Sequence, residues 1–244
     1  MSDQVALITG AASGFGRALT QALGGRGVRV VACDVDEPGG REVADGAGAL
    51  FVHCDVSDPE QNAAAVAIAV AEHGGLDMAF LNAGVASATG LGESFDLALY
   101  RRAMGANLDG VVFGINAVLP AMKARGGGSI VATASLAGLT SVPMDPIYAT
   151  NKHAVVGLVR SLGPVLAGDG IRINAVCPGF ADTAIIEPIR ELLGDQGLPI
   201  IPVERVTDAV IGLLDGDMTG ECWFVQAGRE SQAFNFRGIP GPRP

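Results

Sequence analysis

Charge is scarce in this chain, and positive charge scarcer still. Charged residues make up 17% of the 244, with 16 Lys and Arg against 26 Asp and Glu, a formal net charge of −10. That balance opposes binding to phosphate backbones or anionic membrane surfaces unless a local basic patch overrides it, and the sequence contains no such patch. Nucleic-acid and membrane partners are therefore not expected. Cysteine is sparse too: Cys33, Cys54, Cys177 and Cys222 lie far apart and form no CxxC pair. Neither a zinc ribbon nor a disulfide framework is indicated, and no metal site is expected. Met-Ser-Asp-Gln leads straight into a strand-like run, without the basic and apolar regions of a secretory signal. The most apolar internal stretch, Ala63 to Ala71, is about half a membrane span. The expected setting is the reduced cytoplasm. Internal repeats and linkers are absent as well, so residues 1–244 are read as a single domain.

What the chain does have is apolar mass, 49% of its residues, and 35 glycines. Short β-branched runs alternate with longer segments of helical period, the pattern of βαβ units. The strands expected are Val5 to Thr9, Val28 to Asp34, Leu50 to Cys54, Met78 to Leu81, Ser129 to Thr133, Ile171 to Val176 and Cys222 to Val225. Seven strands make an α/β, doubly wound parallel sheet of the Rossmann type. Asp58-Pro59-Glu60 reads as the start of the third helix, a capping residue followed by a first-turn proline. Gly163-Pro164 is expected to break a later helix early. Phe180 to Val203 follows the sixth strand and is expected to cover a substrate site, at about residues 180–203. The tail, about residues 229–244, is expected to be extended, either wrapping a surface or free.

The first strand is followed at once by Thr9-Gly10-Ala11-Ala12-Ser13-Gly14-Phe15-Gly16, with a helix starting inside the run. Glycines there permit a turn tight enough to bring backbone amides and a helix N-terminus against a pyrophosphate. Asp34, 18 residues beyond Gly16, ends the second strand. Its carboxylate is placed to accept both hydroxyls of an adenosine ribose and to repel a 2′-phosphate, which favours NAD over NADP. Asp34 as the cap of the second helix is the competing reading. Farther on, Ser135 follows the fifth strand and Tyr148 and Lys152 stand four apart on one helix face. A tyrosine acting as base near neutrality needs its pKa lowered by about 2 to 3 units from roughly 10, and a nearby ammonium acts in that direction.

Thr9-Gly-x-x-x-Gly-x-Gly16, Asp55-Val56, Asn82-Ala83-Gly84, Asn107, Ser135, Tyr148 with Lys152, and Pro178-Gly179 together resemble the short-chain dehydrogenase/reductase family, in order from Val5 to about Gly228. The resemblance implies strand order 3-2-1-4-5-6-7 and a homodimer or homotetramer. It implies a catalytic set of Asn107, Ser135, Tyr148 and Lys152, with Asn107 fixing a water that relays protons to Lys152. The implied NAD contacts are Gly10, Ser13, Gly14, Phe15, Gly16, Asp34, Asp55 and Val56 at the adenine, Asn82, Ala83 and Gly84 in support, and Tyr148, Lys152, Pro178, Gly179, Ala181 and Thr183 toward the nicotinamide. Within the family the chain looks like the branch that contains 15-hydroxyprostaglandin dehydrogenase. That likeness implies oxidation of a secondary alcohol on a lipid-, steroid- or terpenoid-like molecule. Ser135, Leu136, Met144, Asp145, Ile185 and Ile186 are the expected substrate contacts, with Asp145 standing where that branch offers a neutral amide. Two alternatives are a non-catalytic NAD-binding regulator, disfavoured because Ser, Tyr, Lys and Asn are all present, and a sugar-nucleotide epimerase or dehydratase, whose glycine spacing differs.

Overall fold

The computed structural model describes residues 3–238. Val5–Thr9 (β1), Arg29–Asp34 (β2), Leu50–His53 (β3), Met78–Leu81 (β4), Gly128–Thr133 (β5), Ile171–Pro178 (β6) and Cys222–Val225 (β7) form a parallel sheet in the order β3-β2-β1-β4-β5-β6-β7. One correction concerns its edge. Gln232–Ala233 (β8) adds an eighth strand, antiparallel to β7, so the start of the tail is neither wholly irregular nor free. Side chains alternate along each strand, and both faces are buried: Val5 and Leu7 point into one core, Ala6 and Ile8 into the other. The first core is closed by Pro59–His73 (α3), Gly110–Arg125 (α5) and Pro146–Leu166 (α6), through Val66, Ile115 and Val159 among others. Gly14–Gly25 (α1), Glu37–Ala47 (α2) and Val203–Asp215 (α8) close the second, where Leu19, Leu23, Phe80 and Leu213 are wholly enclosed. Each such side chain contributes about 1.5 to 3 kcal/mol of transfer free energy.

Local chemistry sets the helix boundaries. Asp58 caps α3, accepting from the N–H groups of Glu60 (2.8 Å) and Gln61 (3.4 Å), and Gly74 ends that helix at φ +82°. Gly163-Pro164 does not end α6, which continues to Leu166. Pro164 stands in the last turn and leaves the Arg160 carbonyl without its intrahelical N–H, yet the helix runs on for two more residues. Gly163 is needed instead for contact, because a Cβ there would lie 2.6 Å from the Cα of Gly220. The strand order reverses between β1 and β4, so the carboxyl ends of these two strands open the crevice in which such sheets bind ligands.

Candidate active site

At that reversal, backbone meets backbone. Gly10 (φ +65°) could not carry a Cβ without bringing it to 2.9 Å from the Cα of Ala83, and a Cβ on Gly16 would fall 2.0 Å from the carbonyl oxygen of Gly10. Ser13 caps α1 without a side-chain hydrogen bond, and Gly14 lies against Thr183. No side chain closes the first turn of α1, which is the arrangement a pyrophosphate requires. The turn is fixed from behind. The Thr9 hydroxyl oxygen accepts from the N–H groups of Asn82 (2.9 Å) and Ala83 (3.1 Å). The Asn82 amide donates to the carbonyls of Thr9 (3.1 Å) and Gly10 (3.3 Å), and its oxygen accepts from Thr133 Oγ1 (3.0 Å).

Asp34 is half-buried at the end of β2, with Oδ2 accepting from the Ala12 N–H (2.8 Å) and Oδ1 from the Asp36 N–H (2.9 Å). The capping role falls to Asp36, which accepts from the Gly39 N–H at 3.2 Å, so Asp34 stands beside the glycine turn and not at the head of α2. Arg17 escaped the sequence reading. Its Nε donates to the Ala12 carbonyl (3.2 Å) and its Nη2 lies 3.7 Å from Glu42, which puts a cation behind the residue that Asp34 holds. No sequence spacing announces it, because it reaches backward from the first turn of α1. Farther along the crevice, Asp55 is exposed and accepts from both the N–H (2.9 Å) and the hydroxyl (2.7 Å) of Ser57, while Val56 is buried.

The second half of the site lies past β4 and β5. Lys152 is buried on α6 and its Nζ donates to the Thr133 carbonyl (2.8 Å), 5.5 Å from the centre of the Tyr148 ring. The Ser135 hydroxyl donates to the Pro178 carbonyl (3.4 Å) and accepts from the Ala137 N–H (3.1 Å), and it is near enough to the phenol of Tyr148 to favour its ionised form. Asn107 sits in a π-turn, Gly105–Asp109, between Leu97–Met104 (α4) and α5. Its side chain is fully engaged: Nδ2 donates to the Val85 carbonyl (2.9 Å) and to Asn151 Oδ1 (3.1 Å), and Oδ1 accepts from the Val85 N–H (2.8 Å). A Cβ on Gly84 would touch Asn107 Oδ1 at 2.9 Å and Lys152 Nζ at 3.6 Å, so these three residues meet at one point.

Electrostatics correct one expectation. In the protein alone the phenol of Tyr148 is pushed up to about 12, not lowered, chiefly by burial, with Asp145 and Cys177 adding to the rise and the Ser135 hydrogen bond opposing it. Burial also brings the Lys152 ammonium down to about 8, against a raising influence of Cys177. Spacing placed the lysine beside the tyrosine but could not show that its proton goes to a strand carbonyl.

The substrate side is less tightly made. Leu136 is half-buried against Gly179, which also bonds through its N–H to the Val225 carbonyl (2.9 Å). Met144 and Ile185 are exposed, at 62% and 42%, whereas Ile186 turns inward and is buried. The segment 180–203 folds on itself: Ala181 pairs with Ile201, and between them run a short 3-10 turn, Ala184–Ile189, and a helix, Arg190–Asp195 (α7). The N-terminal half of the tail packs away from the site. Phe236 lies edge-on to Phe234 at 4.9 Å and under the Arg160 guanidinium at 3.8 Å, twelve residues beyond Tyr148 on α6, or roughly 18 Å along the helix. It does not cover the pocket of its own subunit; residues 239–244 of that tail lie outside the described residues. A separate cleft of about 510 Å³ opens at the opposite edge of the sheet, but its arginines are already engaged, Arg125 with Asp77 and Arg172 with the carbonyls of Leu214 and Gly216.

A model of the short chain dehydrogenase family matches residues 4–193. The chain belongs to this family. Among its relatives is a cyclohexanol dehydrogenase of Acinetobacter sp. (strain SE19), 35% identical over 246 residues that cover 95% of this chain and 96% of the relative. The crystal structure of levodione reductase matches with a TM-score of 0.85 at 30% identity, over 93% of this chain and 98% of that one. The structure of a 3-ketoacyl-(acyl-carrier-protein) reductase from Brucella melitensis complexed with NADH matches with a TM-score of 0.84 at 28% identity, with the same coverage. These short-chain dehydrogenase relatives carry the names of alcohol dehydrogenases and ketone reductases. The narrower likeness to the 15-hydroxyprostaglandin dehydrogenase branch stays a resemblance.

Proposed function

We propose that the protein interconverts a secondary alcohol and a ketone, with NAD as the hydride carrier and an apolar, bulky molecule as substrate. The observation that carries the reading is the convergence of Ser135, Tyr148 and Lys152 on the crevice whose far end is formed by the open first turn of α1 and Asp34. The residues fit a dinucleotide. Gly10, Ser13, Gly14, Phe15 and Gly16 would take the pyrophosphate, Asp34 the adenosine ribose, Asp55 and Val56 the adenine, and Lys152, Pro178, Gly179, Ala181 and Thr183 the nicotinamide end, with Asn82, Ala83 and Gly84 behind them. Bound NAD supplies a hydride acceptor and a positive charge beside the phenol.

The rest of the chemistry belongs to the chain. Ser135 holds the substrate oxygen by a hydrogen bond, and Tyr148, ionised, takes the hydroxyl proton as the carbon gives up its hydride and becomes a carbonyl. Lys152 holds the ribose and keeps positive charge near the phenolate. The same steps reversed reduce a ketone. Leu136, Met144 and Ile185 offer an apolar surface to the substrate body, and Asp145 places negative charge near it, which disfavours carboxylated alcohols.

NADH absorbance over a panel of neutral and carboxylated secondary alcohols, cyclohexanol included, tests the reading. Bulky neutral alcohols should be oxidised best. Oxidation should rise with pH, because the raised Tyr148 pKa leaves the base protonated at neutrality and each step upward in pH ionises more of it. Tyr148→Phe should lose at least about 100-fold in kcat and keep its NAD affinity. A variant retaining a tenth of wild-type turnover excludes Tyr148 as the base.

A further inference from the structure

The loop between β4 and α4, residues 85–96, meets the amino end of α6 at Asp145, three residues before Tyr148, and beyond that point carries hydrogen bonds of its own. Thr89 Oγ1 accepts from the Asp96 N–H (2.7 Å), and the N–H of Gly90 donates to the Ser94 carbonyl (3.3 Å). At its tip Leu91 and Phe95 are exposed. Side chains tie it to the body of the protein at its start, where Asn107 holds Val85 and Asp145 holds Ser87. Ser87 is buried, and its hydroxyl lies 2.5 Å from Asp145 Oδ1 while its N–H donates to Oδ2 (3.2 Å). The same Oδ1 accepts from the N–H of Tyr148 (2.9 Å), so Asp145 is also the N-cap of the helix that carries the base. Three donors thus converge on two oxygens. A carboxylate, which only accepts, satisfies all three; an asparagine would turn a donor toward one of them. Immediately after Ser87, Ala88 has φ +53°, alone among the described non-glycine residues in a left-handed conformation, so the backbone is strained where the tie is made.

We propose that Asp145 is a positioning residue that locks the 85–96 loop to the amino end of α6, so that the substrate wall and Tyr148 are held as one body. The inference rests on the reading of the site as that of an apolar alcohol dehydrogenase. It also accounts for a carboxylate where the resembling branch has an amide: the side chain is engaged by the protein and not by the substrate.

Ser87→Ala removes the hydroxyl half of the tie, keeping the backbone N–H on Oδ2 and the helix cap, and Asp145→Ser keeps a capping oxygen and loses the reach to Ser87. Ser87→Ala should raise KM for a bulky secondary alcohol about tenfold, raise that for cyclohexanol no more than about twofold, and leave NAD affinity unchanged; Asp145→Ser should raise KM for the bulky alcohol by at least as much. The double variant should be no worse than the worse single one, since both break the same contact. Hydrogen exchange followed by mass spectrometry provides a readout independent of turnover. Amides of residues 85–96 should exchange about tenfold faster in either variant, with the rest of α6 unaltered. Unaltered exchange in 85–96, or additive effects in the double variant, overturns the lock. If the wild-type protein oxidises no secondary alcohol, the functional reading falls, and the exchange measurement alone decides whether Asp145 holds the loop.

Discussion

The two halves of the carboxyl edge are built on opposite terms. From β1 to β4 the crevice is defined by what has been left out: Gly10, Gly16 and Gly84 each stand where a single extra carbon would collide with backbone or with the side chain of Asn107. On the other side, across residues 85–96, 139–145 and 180–203, Leu91, Met144 and Ile185 protrude, and the 85–96 and 180–203 segments carry hydrogen bonds or pairings of their own. A crevice that must accept one constant molecule can be shaped by exclusion, and its tolerance for substitution is small. A crevice that must accept a particular substrate is shaped by side chains that can change without disturbing the sheet.

Gly16→Ala tests the stricter half most severely. Its Cβ would fall 2.0 Å from the Gly10 carbonyl, so the turn must open or the helix must shift. A loss of about 3 kcal/mol in denaturant unfolding and the disappearance of NAD binding are expected; a variant that binds NAD normally would show the exclusion to be loose. Asp34→Ala should have a smaller and more selective effect. Removing the carboxylate should reduce kcat/KM with NAD by roughly 10- to 100-fold, the contribution of one or two charged hydrogen bonds, while the nearby Arg17 narrows the difference from NADP. Unchanged preference after that substitution breaks the assignment of Asp34 to the ribose. The mildest expected result lies in the looser half. Truncation after Gly228 removes β8 and the Phe236–Arg160 contact and should cost about 1 to 2 kcal/mol of stability with no change in KM for large alcohols. A raised KM would mean that the tail reaches a substrate pocket, in its own or a neighbouring subunit.

The same division governs what the sequence revealed. Val5–Thr9, Met78–Leu81 and Cys222–Val225 were legible to the residue because apolar runs end there at turn-forming or polar positions. That the glycine turn and Asp34 would stand together at the carboxyl ends of the strands, and Tyr148 and Lys152 on one helix face, was legible because types and spacing were fixed in the sequence. Contacts between distant segments were not. Gly163-Pro164 carries the local signal of a helix stop, but Gly220, brought up by the strand order, gives that glycine another purpose. Tyr148 and Lys152 share a helix face, yet desolvation shifts both groups and the ammonium is held by a carbonyl on β5, and neither is written in the interval between them. Asp145 and Ser87 lie 58 positions apart and meet only in the folded chain.

The two-residue strand β8 also bears on how the molecule behaves in a crowd. A sheet whose last strand is bare offers a row of unmatched N–H and C=O groups to any passing chain, and growth of the sheet across molecules is the hazard. Here the outer side of β7 is taken up by the molecule's own Gln232 and Ala233, opposite Phe224 and Trp223, and by the Phe234 N–H on the Cys222 carbonyl at 2.7 Å. The far edge, β3, runs for only four residues. Neither border is long enough to serve as a template, so the protein ends its sheet from within.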